Sequence, residues 1–213
     1  MNSPILVAAA VAAERDAIRA GLPTDATSVT VEAVGVGPAA AAAGTARLLA
    51  LAEAAGHPYR TVISAGIAGG FAGHAGPGEL VIAARSSQAD LGAESPEGWL
   101  PLDELGWGSA TVAADPQLLA ELSDRLPEAV IGDVLTLATV TGTAARAAAL
   151  VEAHPRAAAE AMEGYGVACA AATAGAAFAE LRAISNLVGP RDRGAWRIKE
   201  ALAALTTAAK ALA

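Results

Sequence analysis

One feature constrains this sequence more than any other: short apolar runs that read as strands alternate with longer segments that read as helices. "PILVAAAV" (4–11) reads as a buried strand, and "AERDAIRAGL" as a short helix ending at Gly21. "SVTVEAVGV" alternates and then runs apolar, like a strand entering a core. "PAAAAAGTARLLALAEAAG" reads as a helix, with Pro38 at its start and Gly56 past its end. "YRTVISAG" and "GELVIAARSSQ" read as strands separated by a glycine-rich loop, "GIAGGFAGHAGPG". Asp90 to Gly108 reads as a long irregular loop carrying Trp99 and Trp107, and such length suggests function or a subunit contact. "PQLLAELSDRL" and "AARAAALVEAH" are helical, "AVIGDVLTLATVTG" is a long strand bent at Gly132, and "FAELRAIS" is a strand. "AWRIKEALAALTTAAKALA" closes the chain as an amphipathic helix. The alternation predicts an α/β fold, a three-layer α/β/α sandwich around a central mixed sheet, in a single domain over residues 1–213.

Composition agrees with a packed interior. The 213 residues are 54% hydrophobic and 17% charged, a globular balance. Aromatic residues make up only 3%, so alanine, valine and leucine fill the core, which suits closely packed layers. The net charge is -8 and no run of Lys or Arg forms a basic patch, which argues against nucleic-acid and membrane partners. One Cys excludes an internal disulfide, and Cys169 reads as a small buried hydrophobe. His57, His74 and His154 lack metal-binding spacing, so no metal is expected. The start, "MNSPILVAAAVAAERD", lacks a basic first region and leads straight into a charged helix-like segment. It reads as a first strand and not a signal peptide, and no apolar run is long enough to span a bilayer. A cytoplasmic protein is expected.

Several short motifs carry chemistry. "GVGPAA" (35–40) fits a dinucleotide fingerprint, but the next strand offers no acid for a ribose hydroxyl, so its glycines read as a tight strand-to-helix turn. "SAGIAGGF" (64–71) is neither a nucleophile elbow nor a triphosphate loop. It offers bare backbone, either for a ligand to lie against or for close packing. Glu14, directly after the first strand, can cap a helix or act as a general base. Asn186, closing "RAISN", can shape a turn or offer an uncharged amide to a ligand. Glu163, in "EAMEGYGVACAA", sits among small apolar residues, where a carboxylate needs a partner to offset its lost hydration.

Taken in order, the first strand with Glu14, "GVGPAAAAAGTARLL", "SAGIAGGF", "VTGTAAR", "AMEGYGVA" and "RAISN" resemble the nucleoside phosphorylase/nucleosidase superfamily. The resemblance lies with the branch containing methylthioadenosine/S-adenosylhomocysteine nucleosidase and covers nearly the whole chain. It implies that Met162 and Glu163 hold the ribose of a nucleoside, the Glu accepting hydrogen bonds from the 2′- and 3′-hydroxyls. It implies that Glu14 activates water, which favours hydrolysis over phosphorolysis, since an anion there repels phosphate. Backbone at Ala68 and Gly69 would lie near the sugar, and Gly142 near the substrate. No cofactor is implied, and relatives form homo-oligomers.

Two departures from the adenine-cleaving pattern narrow the substrate. Asn186 stands where those enzymes carry Asp, which suits a 6-oxopurine such as hypoxanthine. Ala145 stands near the place of the usual stacking aromatic. The extension "SNLVGPRDRGAW", with "ADLGAE", resembles the futalosine hydrolases, nucleosidases of menaquinone biosynthesis. Futalosine is an inosine-like nucleoside with a carboxyphenyl ketone on its 5′ side. Arg191 and Arg193 would either meet that carboxylate or lie on the surface paired with Asp192. Phosphorolysis of inosine or guanosine, methylthioadenosine cleavage and a catalytically silent nucleoside-binding domain stay open as alternatives.

Overall fold

The computed structural model describes residues 4–96 and 98–213. Met1–Ser3 and Glu97, parts of the opening strand signal and of the long loop, therefore lie outside the described residues. Ten strands and six α-helices form among the described residues. In chain order they are β1 (Ile5–Ala9), α1 (Ala12–Gly21), β2 (Val29–Ala33), α2 (Pro38–Ala54), β3 (Thr61–Gly70), β4 (Leu80–Gln88), β5 (Gly92–Ser95) and β6 (Gly98–Pro101). The rest are β7 (Thr111–Ala113), α3 (Pro116–Arg125), β8 (Val130–Thr136), α4 (Ala144–Ala153), β9 (Ala157–Ala161), α5 (Gly164–Thr173), β10 (Ala177–Leu187) and α6 (Ile198–Ala208).

The sheet is mixed and runs β2-β1-β3-β9-β8-β4-β10, with β7 on the flank of β4. β10 also pairs with β3, so β3, β9, β8, β4 and β10 close into a ring from which β1 and β2 extend. Helices cover both faces. Ile5, Val7 and Ala9 of β1 pack with Ile18 of α1, Leu122 of α3 and Leu205 of α6. Leu6 and Ala8 point the other way, onto Ala41 and Leu49 of α2 and Val167 of α5. This two-sided burial at period two is why β1 reads as a continuous apolar run. Three helix starts follow local capping chemistry. Gly37 precedes Pro38 on α2, Asp115 caps α3 through the N–H groups of Gln117 and Leu118, and Thr143 caps α4.

The structure amends the sequence expectations in several places, one being that the strand expected over 129–142 ends at Thr136 as β8, and another that β7 forms where no strand is expected. β3 does not end at Gly66 but continues to Gly70, so the first part of the glycine-rich segment is strand. The segment expected to be an irregular loop contains the hairpin β5–β6. β9 and α5 have no counterpart in the sequence reading. β9 is "AAAEA", buried throughout, and its alanines carry a helical propensity that its position between β8 and β3 overrides. Among the described residues no helix is long and apolar enough to cross a membrane.

Candidate active site

The site grows from the second half of β3 and the two strands beside it. Along β10, residues 182, 183 and 184 pair in register with Gly66, Ile67 and Ala68. The register then slips by one residue at Ser185, and Asn186 pairs with Gly69. Such a bulge re-aims the side chain that follows it. On the other side of β3, Glu160 of β9 pairs with Gly69.

Arg182 is the buried centre. Its side chain is 1% exposed. Nε donates to Glu180 Oε1 at 2.8 Å, Nη2 to Ser64 Oγ at 3.0 Å, and Nη1 lies 3.5 Å from Glu163 Oε2. Ser86 of β4 donates to the second oxygen of Glu180. Burial alone favours the uncharged guanidine, but Glu180, Glu163 and Glu14 together outweigh it and raise the pKa of Arg182. This is the partner that Glu163 requires.

The two carboxylates singled out in the sequence are fixed by main-chain donors. Glu163 Oε1 accepts from Gly37 N at 3.2 Å and Oε2 from Met162 N at 3.3 Å. Gly37 adopts φ +88°, in the left-handed region, and this turn presents its N–H to Glu163. Glu14 Oε2 accepts from Ala10 N and Val11 N at 3.0 and 3.2 Å, and Oε1 accepts from Ile67 N at 2.8 Å. A Cβ at Gly66 would stand 2.6 Å from Glu14 Oε1 and 2.8 Å from Arg182 Nη1, so only glycine lets the two charged groups meet there.

A second group surrounds Asn186. Its Oδ1 accepts from Ser185 Oγ at 2.8 Å, and its Nδ2 donates to Leu187 O at 2.9 Å. It borders a cavity of about 90 Å³ whose wall includes Gly69, Thr141, Glu160, Val188, Arg191 and Trp196. Ala68 is buried and its carbonyl oxygen lies 3.2 Å from Ser185 Oγ. Gly142 is exposed, and a Cβ at this position would stand 3.8 Å from Arg191 Cδ. Arg191 and Arg193 both stack on Trp196, at 5.5 and 5.8 Å from its ring centroid. Asp192 accepts from Gly194 N, and no ion pair links it to either arginine among the described residues. Arg193 does not line the cavity.

Glu14 and Glu163 thus gather at Arg182, with Met162 N bonded to Glu163, and Gly69, Asn186 and Arg191 border the cavity. The sequence reading passed over Arg182 and Glu180, which stand two residues apart in "FAELRAIS" and so share one face of a buried strand. It also passed over Glu160 and Trp196. Glu160 is buried, and that burial pushes its carboxyl pKa up against the opposing bonds from Thr141 and the charge of Arg146.

The phosphorylase superfamily model matches residues 11–213. Futalosine hydrolase of Streptomyces coelicolor is 52% identical over 98% of this chain and 94% of its own length. Futalosine hydrolase of Acidothermus cellulolyticus is 48% identical over 100% of this chain and 91% of its own. Among solved structures, a methylthioadenosine/S-adenosylhomocysteine nucleosidase from Colwellia psychrerythraea in complex with adenine superposes with TM-score 0.80. It is 21% identical and covers 98% of this chain and 92% of that one. An S-adenosylhomocysteine nucleosidase from Streptococcus pyogenes gives TM-score 0.80 at 22% identity, covering 100% and 99% of the two chains. These two neighbours share the fold. With the family model over most of its length and two full-length relatives near half identity, the chain belongs to the phosphorylase superfamily and, within it, to the futalosine hydrolases.

Proposed function

We propose that this protein hydrolyses the N-glycosidic bond of futalosine, releasing hypoxanthine and dehypoxanthine futalosine for menaquinone biosynthesis. The observation that carries this reading is the convergence of Glu14 and Glu163 on Arg182, beside a cavity bordered by Asn186. Kinship with the futalosine hydrolases narrows the nucleoside.

The roles follow from charge and reach. Glu163 accepts the ribose 2′- and 3′-hydroxyls, with Met162 packed against the sugar. Glu14, oriented by three backbone N–H groups, takes a proton from water as it attacks C1′. Both carboxylates stabilise the positive charge that grows on the ribosyl ring as the bond breaks. Asn186 donates from Nδ2 to the purine as it leaves. Main chain at Ala68 and Gly69 lies along the sugar, and Gly142 near the entrance. Trp196 and Val188 provide apolar walls for the base, in place of the aromatic missing at Ala145. We assign the futalosine carboxylate to Arg191, whose guanidinium stacks on Trp196 together with that of Arg193. No cofactor enters the reaction.

The one sheet shared by all strands except β5 and β6 supports reading residues 1–213 as one domain. Trp99 borders a cleft of about 690 Å³ and Trp107 is 74% exposed, which supports a homo-oligomer whose neighbour covers this loop. The work is that of a cytoplasmic enzyme on a small molecule, without a nucleic-acid or membrane partner.

The direct test is hypoxanthine release from futalosine, inosine and methylthioadenosine side by side. Futalosine is expected to be the preferred substrate; preference for methylthioadenosine would overturn the reading. Glu14→Gln is expected to lower kcat by about 100-fold or more while futalosine still binds, measured by single-turnover kinetics and titration. Arg191→Ala is expected to raise KM for futalosine about tenfold and leave inosine unchanged. Arg182→Met leaves three buried carboxylates without their cation and is expected to cost about 3–5 kcal/mol in chemical denaturation.

A further inference from the structure

Glu160 has no role in the chemistry above, yet it is 6% exposed and lines the same cavity as Asn186. Its Oε1 accepts from Thr141 N at 2.7 Å. Its Oε2 is buried and has no hydrogen-bond partner among the described residues. The Thr141 hydroxyl sits beside the carboxylate without a hydrogen bond of proper geometry to it or to another described group. A buried carboxylate oxygen left unmet in a cavity wall is costly and points to a donor on a ligand.

The sheet register places these groups. Glu160 pairs with Gly69 across one side of β3, and Asn186 pairs with Gly69 across the other. Residues directly opposite on neighbouring strands project from the same face of a sheet. Glu160 and Asn186 thus flank a position without a side chain, two strand spacings or about 9.6 Å apart at the backbone. Val188 Cγ2 and Asn186 Nδ2 pack over Gly69 itself, and the cavity that Glu160 and Asn186 both border lies along this wall.

The two sides differ in hydrogen-bonding sense. Ser185 takes one lone pair of Asn186 Oδ1 and Leu187 O takes one hydrogen of Nδ2, so the amide keeps one hydrogen to donate as well as one lone pair. Glu160 offers an acceptor. A 6-oxopurine presents the complementary edge, acceptors at O6 and N7 and a donor at N1–H. A 6-aminopurine presents a bare N1 lone pair, which a carboxylate repels. We propose that Glu160 is a specificity-determining residue that accepts the N1–H of the hypoxanthine ring, with O6 turned to the remaining Nδ2 hydrogen of Asn186.

This rests on the reading of the cavity as the purine site, and the experiment separates the two. With the wild-type protein, hypoxanthine and 1-methylhypoxanthine are compared as inhibitors of hypoxanthine release from the nucleoside. The N1-methyl group removes the donor, and inhibition is expected to weaken about 10- to 100-fold. Equal inhibition by the two bases would overturn the role of Glu160 while leaving the hydrolase reading intact. Glu160→Gln, whose amide can face either N1 state, is expected to lower the preference for hypoxanthine over adenine as inhibitor about tenfold or more. An unchanged preference in the folded variant contradicts the proposal. A wild-type protein that releases no hypoxanthine from futalosine or inosine overturns the site reading and this inference together.

Discussion

The architecture of the site depends on one buried cation. Arg182 on β10 is held by Glu180 on its own strand and by Ser64 on β3, and it faces Glu163 at the start of α5. Glu14, from α1, reaches the same point over Gly66. An unpaired charge in such a place would cost several kcal/mol, and so would three clustered carboxylates without a cation. Paired, they let two acids, Glu14 and Glu163, stand in fixed positions. The arginine therefore ties together β3, β10, α1 and α5, and it is the reason a strongly charged site can exist inside an alanine-rich fold.

Two absent side chains on β3 shape the rest. Gly66 leaves room where Glu14 and Arg182 converge, and Gly69 lets Val188 and the Asn186 amide pack against the strand. Three residues apart on one strand, they lie at the charged cluster around Arg182 and at the wall of the cavity bordered by Asn186. Main-chain N–H groups of Ala10, Val11, Gly37, Ile67 and Met162 aim the carboxylates, so orientation comes largely from rigid backbone. Preorganised groups of this kind need little rearrangement as charge develops on the sugar.

The sequence exposes much of this frame. The alternation of strands and helices is plain where valine, isoleucine and leucine mark the strands, as in "PILVAAAV" and "RTVISAG". It fails at "AAAEA", because alanine does not distinguish a buried strand from a helix, and at "GIAGG", because glycine in a curved strand looks like a loop. Glu14, Glu163 and Asn186 stand out as polar residues at or just past strand ends. Glu180, Arg182 and Glu160 do not, since they lie within strands and meet only through pairings between distant segments. The Glu-x-Arg spacing within an apolar run was the available sign of a buried ion pair. The aromatic wall could not be found at Ala145, because Trp196 arrives from the segment after β10.

The central claim is that water, activated beside Glu14, is the nucleophile. The most direct measurement is the fate of oxygen when futalosine is turned over in 18O-enriched water containing phosphate. The account predicts free hypoxanthine and a sugar product carrying 18O on the C1′ hydroxyl, at a rate independent of phosphate. An unlabelled sugar 1-phosphate would contradict it, because phosphate would then occupy the place assigned here to water.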